Sequence, residues 1–158
     1  MSDNLVTSPY DLSARPGFLI RRLHQIHVAL FLEEYGGFEV TPVQYSILSA
    51  VEAHPGLDQA RLGEAVGVDR ATLANVVGRL EARGLVRRAS SATDRRVRLV
   101  DLTADGSALL AVMEGGARRA HARTIEALMP DECQSFVQAL GRLVQAGNRH
   151  GRAPLRLG

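Results

Sequence analysis

Lysine is absent from this 158-residue chain: all 19 residues counted as Lys or Arg are arginine. Every cationic contact beyond histidine therefore falls to a planar, permanently charged guanidinium that can bond two acceptors at once. Cysteine occurs once, at Cys133, which excludes an internal disulfide framework and a cysteine-ligated zinc finger. There is no tryptophan, and aromatics make up 4% of the residues, so the core must be built mainly from aliphatic side chains. No apolar run approaches the ~18–20 residues of a membrane span. Met1 to Pro9 lacks a basic segment followed by an apolar one, so no secretory leader is read there. The expectation is a soluble, cytoplasmic, mainly helical chain, and at this length one domain with terminal extensions.

The net charge of +2 conceals a strong asymmetry. Residues 1–60 carry 3 Arg against 7 acids, and residues 101–158 carry 7 Arg against 6 acids. Residues 61–100 carry 9 Arg against 4 acids. A basic middle between less basic flanks fits a nucleic-acid footprint or a solvated charged surface, and the structure of the basic segment decides between them.

Periodicity places the elements. Residues 1–15 lack a pattern and read as a flexible arm. Pro16 opens a helix whose apolar positions Leu19, Leu23, Ile26 and Leu30 form one stripe, ending at Tyr35 before Gly36-Gly37. Thr41, Pro42 and Gln44 make a capping-box start for a second helix to about Ala53, with Tyr45 or Leu48 buried beside Val51. Asp58 caps a short helix, Gln59 to Val66, broken by Gly67. Asp69 caps another, Arg70 to Arg83, apolar at Leu73, Val76/Val77 and Leu80 and ended by Gly84. Two helices about a tight turn, the second polar on its outer face, form a helix-turn-helix. Leu85–Arg88 and Val97–Leu102 then read as two strands around an exposed loop, a β-hairpin with a basic tip. Thr103 caps a long helix from Ala104 to about Met129, with Gly115-Gly116 as a kink site. A last helix runs from Asp131 to about Ala146, apolar at Phe136, Leu140, Leu143 and Val144. The fold expected is mainly α with a small β-hairpin wing, an α+β winged helix-turn-helix.

On such a helix Arg70 is placed to reach guanine O6/N7, Asn75 to pair with adenine, and Thr72 to touch a thymine methyl or a phosphate. The first N–H groups of the helix favour a phosphate, and Arg79 lies over the backbone. At the hairpin tip Arg95 and Arg96 suit a narrow minor groove. Asp94 is expected to hydrogen-bond the Arg96 guanidinium and hold it extended. No nucleophile elbow, phosphate loop, HExxH pattern or metal-spaced cluster is found, so neither an enzyme nor a cofactor is expected. His24 and His27 lie three apart without a third ligand near in sequence and read as partly buried or interface histidines. Phe18, Phe31 and Phe38 read as core.

The stretches Leu62-Gly63-Glu64, Val68-Asp69-Arg70-Ala71-Thr72, Val77-Gly78-Arg79-Leu80-Glu81-Ala82-Arg83-Gly84-Leu85-Val86 and Asp94-Arg95-Arg96-Val97-Arg98-Leu99-Val100-Asp101-Leu102-Thr103-Ala104-Asp105-Gly106 resemble the MarR family of transcriptional regulators. The Asp-x-Arg wing followed by a Leu-Thr-x-x-Gly helix start is the most specific of these, and the resemblance spans residues 16–148. It implies a homodimer whose first and last two helices interleave with those of its partner. It also implies two recognition helices on a pseudo-palindromic double-stranded DNA operator, with half-sites about 34–36 Å apart. The domain would cover 16–148, with a DNA-binding lobe at about 41–103, dimerisation helices at about 16–36 and 104–148, and a tail at 149–158. Family members are commonly repressors released by small aromatic acids or phenolics. Pro16-Gly17-Phe18-Leu19-Ile20-Arg21-Arg22-Leu23-His24-Gln25-Ile26-His27 resembles members that control aromatic-compound catabolism, whose effectors include benzoate- and cinnamate-type acids or their CoA thioesters. The implied pocket lies between the first two helices, the dimer helices and the DNA-binding lobe, and Arg22, His24, His27 and Tyr45 are its candidate residues. Two alternatives stay open: a redox-responsive regulator using Cys133, although family members of that kind carry the cysteine in the first helix, and a DNA-binding dimer without a ligand.

Overall fold

A computed structural model describes residues 10–35, 37–151, 153 and 155. Most of the arm (1–9), Gly36 of the predicted glycine stop, and part of the tail lie outside the described residues. The elements are α1 (Pro16–Tyr35), α2 (Pro42–Ala53), β1 (Leu57–Asp58), α3 (Gln59–Val66), α4 (Arg70–Ala82), β2 (Val86–Ser90), β3 (Arg98–Leu102), α5 (Ala104–Thr124) and α6 (Pro130–Gly147). A 3-10 turn (Asn148–His150) follows.

The helix starts follow the side chains that close them. Thr41 makes both halves of a capping box with Gln44, at 3.2 and 3.0 Å. Asp58 accepts from Arg61 N–H, and Thr103 accepts from Gly106 N–H. Gly67 ends α3 at φ 67°, the left-handed conformation a glycine enters without a Cβ clash. A Cβ on Gly63 would stand 3.0 Å from the Val68 carbonyl and 3.3 Å from Leu73, which is how closely the turn brings α3 onto α4. After α4, Leu85 N–H donates to Leu80 O and Gly84 N–H to Glu81 O, a Schellman end with Gly84 at φ 72°.

The sheet is antiparallel in the order β1-β3-β2. Its third strand, β1, is an addition to the expected hairpin; at two residues it is too short for alternation to reveal. It is pinned by Gly56 N–H donating to Asp101 Oδ1 at 2.6 Å. The hairpin strands are also shifted: β2 runs on to Ser90, because its register with β3 pairs Ala89 with Leu99 and Ser90 with Arg98. The long helix ends at Thr124 rather than about Met129. Met129 precedes Pro130 and is held extended (φ −68°, ψ 155°), since the proline ring disfavours the helical region for its predecessor. Gly115-Gly116 lies inside continuous helix. There Gly116 gives room to Tyr35, whose ring carbon a Cβ would approach to 2.8 Å.

Two cores result. One joins α2, α3, α4 and the sheet through Ile47, Leu48, Val51, Leu62, Leu73, Val77, Leu80 and Val100. The other joins α1, α5 and the α1–α2 loop through Phe31, Tyr35, Val40, Met113, Ala117 and Ala120. Leu109 packs against both. Helix α6 buries none of its residues, and Val137 and Leu143 are 57% and 63% exposed.

Candidate nucleic-acid interface

Helix α4 owes its direction to Leu73, Val77 and Leu80, which are buried in the first core. That leaves Arg70, Thr72, Asn75 and Arg79 on the other side, away from that core. Across a cleft of about 450 Å³ stands the wing: Arg70, Asp69 and Glu64 line one wall, and Arg96, Val97 and Arg98 the other. Ala153 of the tail also lines it. Arg95 is exposed beside Arg96. The structure thus brings Arg70 and Arg96, predicted on separate motifs, to one cleft.

Two local expectations are corrected. Asp94 Oδ1 accepts the backbone N–H of Arg96 at 2.9 Å, not its guanidinium. It shapes the wing turn, together with Val97 N–H donating to Asp94 O, and leaves the Arg96 side chain exposed. The first N–H groups of α4 are not offered to a phosphate either. Asp69 Oδ1 takes those of Ala71 and Thr72 at 3.1 and 3.0 Å, and Oδ2 takes the Thr72 hydroxyl at 2.7 Å. The Thr72 N–H and hydroxyl bonds, with that of Ala71, hold the Asp69 carboxyl below its ordinary value. Thr72 therefore presents its methyl and an acceptor oxygen.

A brace that the sequence pattern did not single out fixes wing to helix. Glu81 on α4 accepts from Arg88 N–H, Nε and Nη2 on β2 at 2.9, 2.9 and 2.6 Å, which lowers its pKa. The i, i+7 spacing across a helix end and a turn gives no local signal of this pairing. Arg98 is committed to Ser90 Oγ at 3.2 Å.

The four effector candidates divide. His27 and Tyr45 converge on the aromatic junction of α1, α2 and α5: Phe31 lies 6.3 Å from the His27 ring and 5.7 Å from the Tyr45 ring. His27 stacks on His121 at 4.9 Å and bonds Thr124 Oγ1 at 2.8 Å. The Tyr45 hydroxyl donates to Glu114 Oε2 at 2.8 Å, and burial with that carboxylate raises its pKa. Burial pushes Tyr35 beside it up to about 12, and its hydroxyl donates to the Met113 carbonyl. Arg22 and His24 instead lie on the exposed side of α1, where Arg22 donates to Gln25 Oε1 at 2.9 Å. Among the described residues no group of three or more His, Cys, Asp or Glu is arranged to hold a metal ion. Cys133 is half-buried at the start of α6, its Sγ 3.8 Å from the carbonyls of Ile125 and Leu128. No helix of the described residues is long and apolar enough to cross a membrane.

The MarR family profile matches residues 38–97, the stretch from the α1–α2 loop to the wing. The HTH-type transcriptional repressor NicR of Pseudomonas putida is 33% identical over 147 residues, covering 93% of each chain. The chain belongs to the MarR family. Solved MarR-type structures superpose on nearly all of it. The PcaV transcriptional regulator from Streptomyces coelicolor, in complex with its natural ligand, is 36% identical with a TM-score of 0.83, over 89% of this chain and 99% of that one. BpsR of Bordetella bronchiseptica, whose DNA binding is regulated by 6-hydroxynicotinic acid, is 33% identical with a TM-score of 0.81, over 86% and 97%. The protein is a MarR-type winged helix-turn-helix, a DNA-binding transcriptional regulator.

Proposed function

We propose that this MarR-type chain is a homodimeric repressor. It reads a pseudo-palindromic operator with α4 and the wing, and it leaves the operator when a small aromatic acid or its CoA thioester binds at the α1–α2–α5 junction. The observation that carries the DNA contacts is the shared cleft of Arg70 and Arg96, beside the outward face of Thr72, Asn75 and Arg79. Arg70 and Asn75 read base edges, Thr72 touches a thymine methyl, and Arg79 lies on the backbone. Arg95 and Arg96 enter the minor groove on a turn shaped by Asp94. The proposed domain is 16–148, with the lobe at about 41–103 reading DNA and the helices at about 16–36 and 104–148 joining two copies. The chain acts by binding, without catalysis, in the cytoplasm.

The effector assignment rests on His27 and Tyr45, half-buried polar groups that flank the buried Phe31 ring, with His121, Thr124 and Glu114 as their polar neighbours. BpsR, which responds to a hydroxylated aromatic acid, supports that ligand class. An acid seated there shifts the population between two spacings of the recognition helices. Arg22 and His24 would join the site only by way of a second copy or a movement of α1.

An operator selected from random duplexes with the full chain provides the test. Arg70→Ala relaxes base preference at one position per half-site by about 1–3 kcal/mol. Arg96→Ala lowers the slope of log K against log salt by about one unit for each phosphate that it no longer neutralises. Wild-type affinity and selectivity in both variants would overturn these contacts. For the effector, benzoic, cinnamic and 6-hydroxynicotinic acids and CoA thioesters are screened by thermal shift and operator release. A panel in which nothing both raises Tm and weakens DNA binding would remove the sensor.

A further inference from the structure

Arg83, at the end of the recognition helix, is exposed, yet both terminal nitrogens of its guanidinium are taken. Nη1 donates to the Glu39 carbonyl at 3.0 Å and Nη2 to the Phe38 carbonyl at 2.9 Å, across more than forty residues of sequence. The receiving loop is built for this fork. In extended backbone successive carbonyls face opposite ways. Here Glu39, the second of the two residues that supply the carbonyls, stands at φ 50°, a left-handed conformation that a residue with a Cβ seldom adopts, and both carbonyls meet one guanidinium. Such a conformation persists where its surroundings over-determine it, and the loop is held on both sides. Phe38 N–H donates to the last carbonyl of α1, Tyr35 O, at 2.8 Å, and Val40 is buried with Phe31, Tyr35 and Met113 in the α1–α5 core.

We propose that Arg83 is a positioning residue for operator binding: it ties the recognition helix to the α1–α2 loop and thereby fixes how far apart two recognition helices stand in a dimer. The inference rests on the dimeric reading above. The two cores are joined through α2, through Leu109 and through the seat of α5 on the Gly84-Leu85 turn. The guanidinium adds a contact from the end of α4 to the loop that follows α1. If α1 belongs to the dimer contact, α4 is referenced to the partner through this fork. A lysine presents one compact ammonium in place of the planar fork and cannot span both carbonyls with the same geometry.

The test is spacing discrimination, which a merely stabilising residue would not move. Operators selected with the wild-type full chain are remade with one base pair added or removed at the pseudo-dyad, which moves the half-sites by about 3.4 Å and roughly 35°. Wild type loses about tenfold or more in affinity on the altered duplexes. Arg83→Met falls to within about threefold across the set, with the salt slope unchanged, and Arg83→Lys is intermediate. Glu39→Gly, which relieves the left-handed backbone and leaves both carbonyls, keeps the wild-type ratio. Retention of the full ratio by Arg83→Met overturns the proposal. So does an equal loss on every duplex with a smaller salt slope, which would make Arg83 a phosphate contact. Should Arg83→Met not fold by circular dichroism, Arg83→Lys decides in its place. A wild type that sediments as a monomer on its operator removes the dimeric reading and the inference together. A dimer indifferent to spacing removes the inference alone.

Discussion

The proton on His27 can be located from its neighbour. The Thr124 hydroxyl donates to the Ala120 carbonyl at 2.7 Å, so toward His27 Nδ1 its oxygen is an acceptor and the neutral ring carries its proton on Nδ1. Nε2 is then the acceptor nitrogen. Burial first, then His121 and His24, hold the pKa of this ring below the ordinary value of about 6.5. A lowered histidine pKa means that the unfolded chain binds the extra proton first. The associated stability is complete above about pH 6.5 and is lost as pH falls toward the folded-state value. We expect Tm to drop on going from about pH 7.5 to about pH 5.5. His27→Asn, which keeps a donor for Thr124 but does not titrate, should lose distinctly less. An identical drop in the two proteins, followed by differential scanning fluorimetry, would place the pH sensitivity elsewhere. The carboxylates held low by Arg or cap bonds, Glu81 and Asp69 among them, weaken only in a more acid window.

At the scale of elements, the corner where α4, β2 and α5 meet shows what sequence patterns carry and what they omit. Thr103 as the start of α5 was legible because a cap is local: its hydroxyl oxygen accepts from Gly106 N–H three residues on. The reason for glycine at 106 was not legible, because it involves a residue twenty-one positions earlier. A Cβ there would stand 2.0 Å from the Leu85 carbonyl, whose oxygen receives Thr103 N–H, while the Thr103 hydroxyl donates to Gly84 O at 2.5 Å. The start of α5 is therefore seated directly on the Schellman turn that ends the recognition helix. Gly106→Ala must push the two apart, and by the usual cost of overpacking it should destabilise by about 1–3 kcal/mol or more. Urea unfolding that left stability unchanged would show that the corner yields freely. The same division holds elsewhere. Thr41, Asp58, Asp69, Gly67 and Gly84 announce their caps and stops within a turn of chain. The Glu81–Arg88 brace, the Arg83 fork and the choice of His27 and Tyr45 over Arg22 and His24 depend on helix rotation and tertiary pairing. An apolar stripe on α1 does not say which flank meets α5.

At the scale of the molecule, the winged-helix core and the α1–α5 core each close within one chain, but α6 buries none of its residues. Its apolar residues Val137, Leu140, Leu143 and Val144 are all exposed, and α1 adds Leu19 and Ile20 at 49% and 55%. If that surface is covered by a second copy, as the proposed homodimer requires, burial of each such side chain is worth about 1.5–3 kcal/mol. A charge in the middle of it is then costly, because it must be desolvated without a partner. Leu143→Asp tests this. The side chain is 63% exposed in the single chain, so its replacement takes nothing from either core and the monomer should fold. In a dimer the carboxylate faces apolar neighbours, and sedimentation should show dissociation at concentrations where wild type stays dimeric. Operator affinity should fall with it, because a monomer holds one half-site and forfeits the effective concentration that linkage gives the second, a loss of about 10²-fold or more. Binding of Arg70 and Arg96 to the remaining half-site should be unaffected, so base preference within that half-site persists. A variant that stayed dimeric with wild-type affinity would show that α6 is not the joining surface. Loss of affinity from a still-dimeric protein would point instead to a changed angle between the lobes.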